Sequence, residues 1–287
     1  MRNLKYIKKF NESLNDIDLI CKEYGIENYT INNDDSIDVD GDVDLDFRGL
    51  YKLPLKFGSV SGNFKCQYNQ LTSLEGAPES VGGDFYCYKN QLTSLRGAPE
   101  SVDGDFICST NKLTSLQGAP KLVSGNFDCY NNRLTSLCDA PESVGGNFYC
   151  HNNQLTSLRG APKSVDGDFN CSNNKLTSLE GAPEFIGGDF DCDNNELITL
   201  KGSPKSINRD FYCQNNQLTS LQGAPESVSG SFYCYNNQLT SLEGSPKSVS
   251  RDFNCQNNQL TSLEGAPEFL GGSFYCDGNP VESIWNL

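Results

Sequence analysis

The chain is predicted to be a β-rich solenoid, a column of short coils that each add one strand to a parallel sheet. Three observations predict it. Eleven cysteines, from Cys66 to Cys276, stand 21 residues apart, a strict period in the range of repeat arrays. Only 36% of the 287 residues are hydrophobic, whereas 27 are glycine and 12 proline, so a thin core spread along a stack suits the composition better than one large centre. A phenylalanine precedes each of these cysteines by two places, and the two-residue alternation of a strand puts both on one face.

The elements follow in chain order. Residues 1–35 lie outside the array and read as an N-terminal helical cap. Ile17, Ile20 and Tyr24 have helical spacing, Asn15 or Asp16 can cap the segment and Gly25 can stop it. Residues 36–62 read as a degenerate first repeat, because Val39, Val43, Leu45, Leu50 and Leu53 fall at the core positions of the later units when 21 is subtracted. The stretch DVDGDVDLD from Asp38 to Asp46 superficially suggests a calcium loop. Counted from Asp38, however, the glycine comes fourth instead of sixth, and the twelfth place holds Gly49, not glutamate. It is better read as an edge strand with Val39, Val43 and Leu45 inward and the aspartates toward solvent.

Residues 63–278 repeat the order Phe-x-Cys-x-x-Asn-x-Leu-x-x-Leu, with an aliphatic residue six places before the cysteine and a proline near the end of the unit. This order resembles the leucine-rich repeat, with Phe and Cys in the two strand positions. Alternation directs Phe148 and Cys150 inward and Asn147, Tyr149 and His151 outward. Cysteine then serves as a small core residue. A straight column of thiols does not converge as a tetrahedral zinc site requires, and facing disulfides need side chains turned toward one another, so buried free thiols are expected. The asparagines, such as Asn90 and Asn153, are assigned to the scaffold, satisfying backbone groups where the chain leaves the strand. The Gly- and Pro-rich segments such as EGAPESVGGD are too short and broken for a helix and predict extended or turn structure on the convex side. Residues 279–287 form a C-terminal cap, with Val281 and Ile284 in the leucine places and Trp285 over the last open layer.

Units of this length resemble the bacterial class of leucine-rich repeats, a likeness covering residues 43–287. The whole arrangement, from KKFNESL through GDVDLDF to the LTSLEGAPESVGG units, resembles leucine-rich-repeat proteins of tailed bacteriophages and giant viruses. That resemblance implies a viral origin and a binding role, and it carries no activity to individual residues.

A formal charge of −15, from 37 acidic against 22 basic residues, repels phosphate backbones and anionic membranes, so neither direct nucleic-acid binding nor a membrane role is expected. No apolar run reaches membrane-span length and the N-terminus lacks a secretory apolar region, which predicts a cytoplasmic protein, in the host cytoplasm if viral. No phosphate loop, dinucleotide fingerprint, nucleophile elbow or zinc helix is present, and the single histidine, His151, reads as an ordinary surface residue. No enzyme activity, cofactor or metal is expected.

What varies between units is the outward strand face. Its three columns carry ten aspartates against one lysine, Lys65, together with many tyrosines. Tyr86, Tyr88, Tyr130 and Tyr149 on one side and Tyr212, Tyr233 and Tyr235 on the other flank the acidic patch Asp189, Asp191 and Asp193. Tyrosine offers contact area at small conformational cost, and complementary charge steers a basic protein onto an acidic face. The expected function is therefore a protein interaction module for a basic partner. The alternatives are a structural or adhesin component of a virus particle and a nucleic-acid mimic that inhibits a host factor.

Overall fold

A computed structural model of the protein describes residues 16–281. Asn15, Ile284, Trp285 and the KKFNESL segment lie outside the described residues. The helix spans 16–24, burying Ile17 and Cys21 against the end of the core while Ile20 and Tyr24 are half-buried beside them. Gly25 ends it at a φ of 68°, a left-handed turn that glycine adopts without strain.

The array is built as two parallel sheets with the core between them. In the first sheet, two-residue strands run in 21-residue register from Val43–Asp44 through Phe64–Lys65 to Phe274–Tyr275, 12 strands among the described residues. The second sheet occupies the side expected to hold extended or turn structure. Pairs such as Ser80–Val81 and Ser101–Val102 align turn upon turn, with Val81 and Val102 buried. Glycine turns the corners, as at Gly97, where φ is 87° and an added Cβ would meet the backbone oxygen of Leu74 at 2.7 Å. The second sheet begins with Tyr29–Ile31 antiparallel to Ser36–Val39, so the Asp38 end of the acidic stretch is covered by a strand and is not a free edge. It stops at Phe185–Ile186 and resumes at Ser206–Ile207, whereas the first sheet runs on without interruption.

Each turn adds the same layer to the core. The phenylalanines stack in a continuous column with ring centroids 5.3 Å apart and planes within 6° for both Phe64–Phe85 and Phe85–Phe106. Only Phe190–Phe211 is strongly tilted along this column, at 41°, in the turn where the second sheet is broken. The ladder cysteines from Cys66 to Cys255 are free thiols and fully buried. Burial raises their thiol pKa, which keeps them protonated, and Cys150 Sγ donates to the Asn170 carbonyl at 3.4 Å.

Two polar columns tie the turns together. Asn153 Nδ2 donates to the carbonyls of Cys129 (3.1 Å), Cys150 (3.1 Å) and His151 (3.3 Å), and its Oδ1 accepts from the Leu134 N–H at 3.0 Å. The second column precedes each strand. Asn147 Oδ1 accepts from Asp168 N, Asp168 Oδ1 from Asp189 N, and so on up the stack at 2.7 and 2.8 Å. Glycine suits most turns beside this column because an added Cβ at Gly167 would lie 2.2 Å from Asn147 Oδ1 and 2.9 Å from backbone of Gly146. Gly167→Ala is therefore expected to lower stability by about 1–2 kcal/mol through overpacking. Urea unfolding of the alanine variant, alone and combined with Asn147→Ser, checks this; the shorter serine should return a measurable part of the loss.

Candidate interaction face

The outward positions of the first sheet lie one place either side of each cysteine and three places before it. Because parallel strands are only about 4.8 Å apart, these side chains pack flank to flank. Tyr86, Tyr88, Tyr130, Tyr149, Asp189, Asp191, Asp193, Tyr212, Tyr233 and Tyr235 are accordingly all half-buried.

The tyrosines divide into three groups. Tyr86 donates its hydroxyl to Asp84 Oδ2 at 2.6 Å and meets Tyr88 edge-on at 6.3 Å. Tyr130 and Tyr149 are joined through His151, which stacks on Tyr130 at 4.6 Å and meets Tyr149 edge-on at 6.1 Å. His151 thus departs from the surface residue expected. It is half-buried with Nδ1 unpartnered, and desolvation lowers its pKa, so it serves as a neutral aromatic linker between two tyrosines. Tyr212 stacks on Tyr233 at 5.0 Å with planes within 5°, and donates to Asp210 Oδ2 at 2.9 Å. Burial and the nearby charges of Asp193 and Asp191 raise the pKa of Tyr235, which places it beside the acidic patch.

The acidic patch is more differentiated than the sequence suggests. Asp189 belongs to the scaffold column, its Oδ1 accepting from Asp210 N at 2.9 Å. Asp191 is held by Asn170 Nδ2 at 3.1 Å and accepts the Asp193 N–H at 3.1 Å; burial, then the adjacent Asp193 charge, raises its pKa. Asp193 accepts from Gln214 Nε2 at 3.1 Å and Asn194 Nδ2 at 2.8 Å. None of the three has a lysine or arginine within ion-pair distance among the described residues, where the pairs are Lys56–Asp34, Arg159–Glu180, Lys163–Glu142 and Lys201–Glu180. Asp128 corrects the outward reading of its column. It is buried at 9% exposure, and desolvation pushes its pKa up to about 7.

A further aromatic group is not anticipated by the sequence reading. Two places after each strand cysteine the chain turns with positive φ, at asparagine from Asn131 to Asn257 but at Phe47, Tyr68, Lys89 and Thr110 in the first units. Bulky residues rarely adopt this conformation. Phe47 stacks on Tyr68 at 4.2 Å, Lys89 Nζ lies 4.5 Å from the Tyr68 ring centre, and Tyr68 meets Tyr88 edge-on at 5.4 Å. The aromatic surface therefore extends to the N-terminal end, where Phe47 is 69% exposed. The exchange of asparagine for Phe and Tyr in one column is the signal that could have found it.

Chemically, the face offers aromatic rings and carboxylates, a combination that accepts guanidinium and ammonium groups. Among the described residues no group of three or more His, Cys, Asp or Glu side chains could hold a metal, and no helix is long and apolar enough to cross a membrane.

No family model and no curated protein sequence matches the chain. Among solved structures it is similar to YopM from Yersinia enterocolitica WA-314, at 22% identity and a TM-score of 0.56, over 81% of this chain and 56% of that one. It thus spans little more than half of that structure's length. A YopM structure from Yersinia pestis, described as a leucine-rich effector protein, aligns at 22% identity and a TM-score of 0.47 over 83% of this chain and 77% of that one. The likeness to the first establishes the leucine-rich-repeat solenoid fold.

Proposed function

We propose that the chain is a non-enzymatic protein interaction module that binds a basic protein surface through the tyrosine-rich, acidic face of its first sheet. The observation that carries this reading is the juxtaposition of the Tyr212–Tyr233 stack with Asp191 and Asp193, carboxylates that no basic side chain of the described residues neutralises. Aromatic anchors with unpaired charge beside them fit arginine-rich surfaces, which stack and ion-pair at once. In the viral setting that the resemblance to phage and giant-virus proteins implies, the partner is a host protein.

The test is affinity capture from host lysate with the native chain and with Tyr212→Ala/Asp193→Lys as paired baits, at low and moderate salt. Asp193 is preferred to Asp191 for charge reversal because Asp191 accepts a backbone N–H, that of Asp193, whereas the two donors to Asp193 are side-chain amides. A basic protein held by the native chain should bind the variant at least about tenfold more weakly, the scale of a hot-spot loss, and should elute as salt rises. Equal retention on both baits would remove this face from consideration.

A further inference from the structure

The glycine beside the scaffold column is replaced twice, by Arg209 and Arg251, with Gly230 between them. These replacements are costly positions for a side chain. An added Cβ at Gly188 would lie 2.1 Å from Asp168 Oδ1, and one at Gly230 would lie 2.1 Å from Asp210 Oδ1. Arg251 is accommodated because the turn beneath it carries the shorter Ser231, whose hydroxyl still accepts from Asp252 N, at a longer 3.3 Å. Arg209 has no such relief, since Asp189 lies in the turn beneath it and still accepts from Asp210 N. At this turn the second sheet is interrupted and the Phe190–Phe211 stack tilts.

A cavity of about 360 Å³ lies at this place, lined by Asp189, Asn208, Arg209, Asp210, Ser229, Gly230 and Arg251. Both arginines are exposed, and neither lies within 4.0 Å of a carboxylate among the described ion pairs. Two turns separate them, roughly 10 Å at the backbone, so two guanidinium groups can close from either side on a group seated over Gly230. The exposed Asn208 amide and Ser229 hydroxyl supply further donors. Asp210 is already engaged, accepting from Ser231 N and the Tyr212 hydroxyl, and so is one oxygen of Asp189.

We propose that Arg209 and Arg251 form an oxyanion clamp that takes a carboxylate or phosphate group over Gly230. The clamp is separate from the tyrosine face and does not depend on its role. Its two-against-two balance of arginines and aspartates favours a singly charged carboxylate over a phosphate dianion.

The experiment is a nuclear magnetic resonance titration of the full chain with acetate, inorganic phosphate and, at matched ionic strength, chloride, following the Gly230 amide and the arginine side-chain N–H signals. Saturable shifts with acetate, phosphate or both, absent with chloride, are expected, and the relative affinities of acetate and phosphate assign the source of the oxyanion. Arg209→Gly/Arg251→Gly restores the residue that neighbouring turns carry, so the variant should unfold in urea no earlier than the native chain, and its anion affinity should fall at least tenfold. Shifts no larger than with chloride, or an undiminished response in the folded double variant, would overturn the clamp.

Discussion

Replacing Asn153 by alanine is expected to lower the unfolding free energy by about 3–4 kcal/mol, read as a reduced urea midpoint. The loss is unevenly distributed. The carbonyls of Cys129 and Cys150 each keep a second asparagine donor, Asn132 Nδ2 at 3.0 Å and Asn174 Nδ2 at 3.1 Å. The Leu134 N–H has its acceptor only in Asn153 Oδ1 among the described hydrogen bonds, and it becomes a buried, unpaired donor. That single desolvated group contributes about 1–3 kcal/mol and the three weakened carbonyl contacts supply the remainder. Hydrogen exchange at the Leu134 amide should accelerate more than at Leu155, whose acceptor Asn174 is intact. Asn153→Asp keeps the acceptor but opposes a carboxylate to three carbonyls, so it should also destabilise at pH 7 and recover in acid, where its hydroxyl can donate.

Stability should also decline as pH rises from 4 to 8, with Asp128 as one of its sources. Its pKa is raised by burial from 3.8 to about 7 in the folded chain, so the folded state holds this proton to higher pH than the unfolded state. Well below 3.8 both states are protonated and there is no penalty. The penalty grows through the window between 3.8 and about 7 and is fully present above it. The shift sets a ceiling of about 4 kcal/mol, and with partial solvent access about 2–3 kcal/mol is expected. Asp191, raised by burial and by the adjacent Asp193 charge, and Asp46, raised to about 6 chiefly by burial, act in the same direction. Asp128→Asn should therefore gain about 2 kcal/mol at pH 8 and no more than about 0.5 kcal/mol at pH 4, measured by urea unfolding at both values. Asparagine fits this column, as Asn170 and Asn254 show, and Asn170 Oδ1 accepts from Ser172 N at 3.0 Å. A gain of the same size at both pH values would assign the effect to packing instead of charge.

The core was legible in the sequence because a fixed period exposes every inward position at once: Phe148, Cys150, Leu155 and Leu158 recur 21 residues on, and all are buried. The second sheet was not legible. From Ser80–Val81 onward its strands are two residues long with glycine and proline close by, so Ser143–Val144 carries no strand periodicity of its own and is a strand only because the turns above and below pair with it. The column that contains Asn147 holds only Asp, Asn or Ser from Asp42 and Asn63 to Ser273, and in sequence it reads as surface charge. What those residue types share is an acceptor oxygen, and the bond it makes joins one turn to the next. For His151 the deciding neighbour, Tyr130, lies 21 residues earlier, so its stacking follows from register and not from local sequence. Of the candidate face, the tyrosine and aspartate columns could be read directly, whereas the unequal burial of Asp128, Asp191 and Asp193 depends on side-chain packing between turns.

The most direct test of the interaction face is the dissociation constant of the captured basic partner for three chains: native, Tyr212→Ala/Asp193→Lys on the first sheet, and Leu122→Ser/Phe185→Ser on the second. The last pair installs the serine that neighbouring turns carry and removes two exposed apolar side chains, at 51% and 49% exposure. Binding through the first sheet predicts at least about tenfold weakening for the first variant and an unchanged constant for the second. The reverse order, with the partner lost from the second-sheet variant and retained by the first, would contradict it.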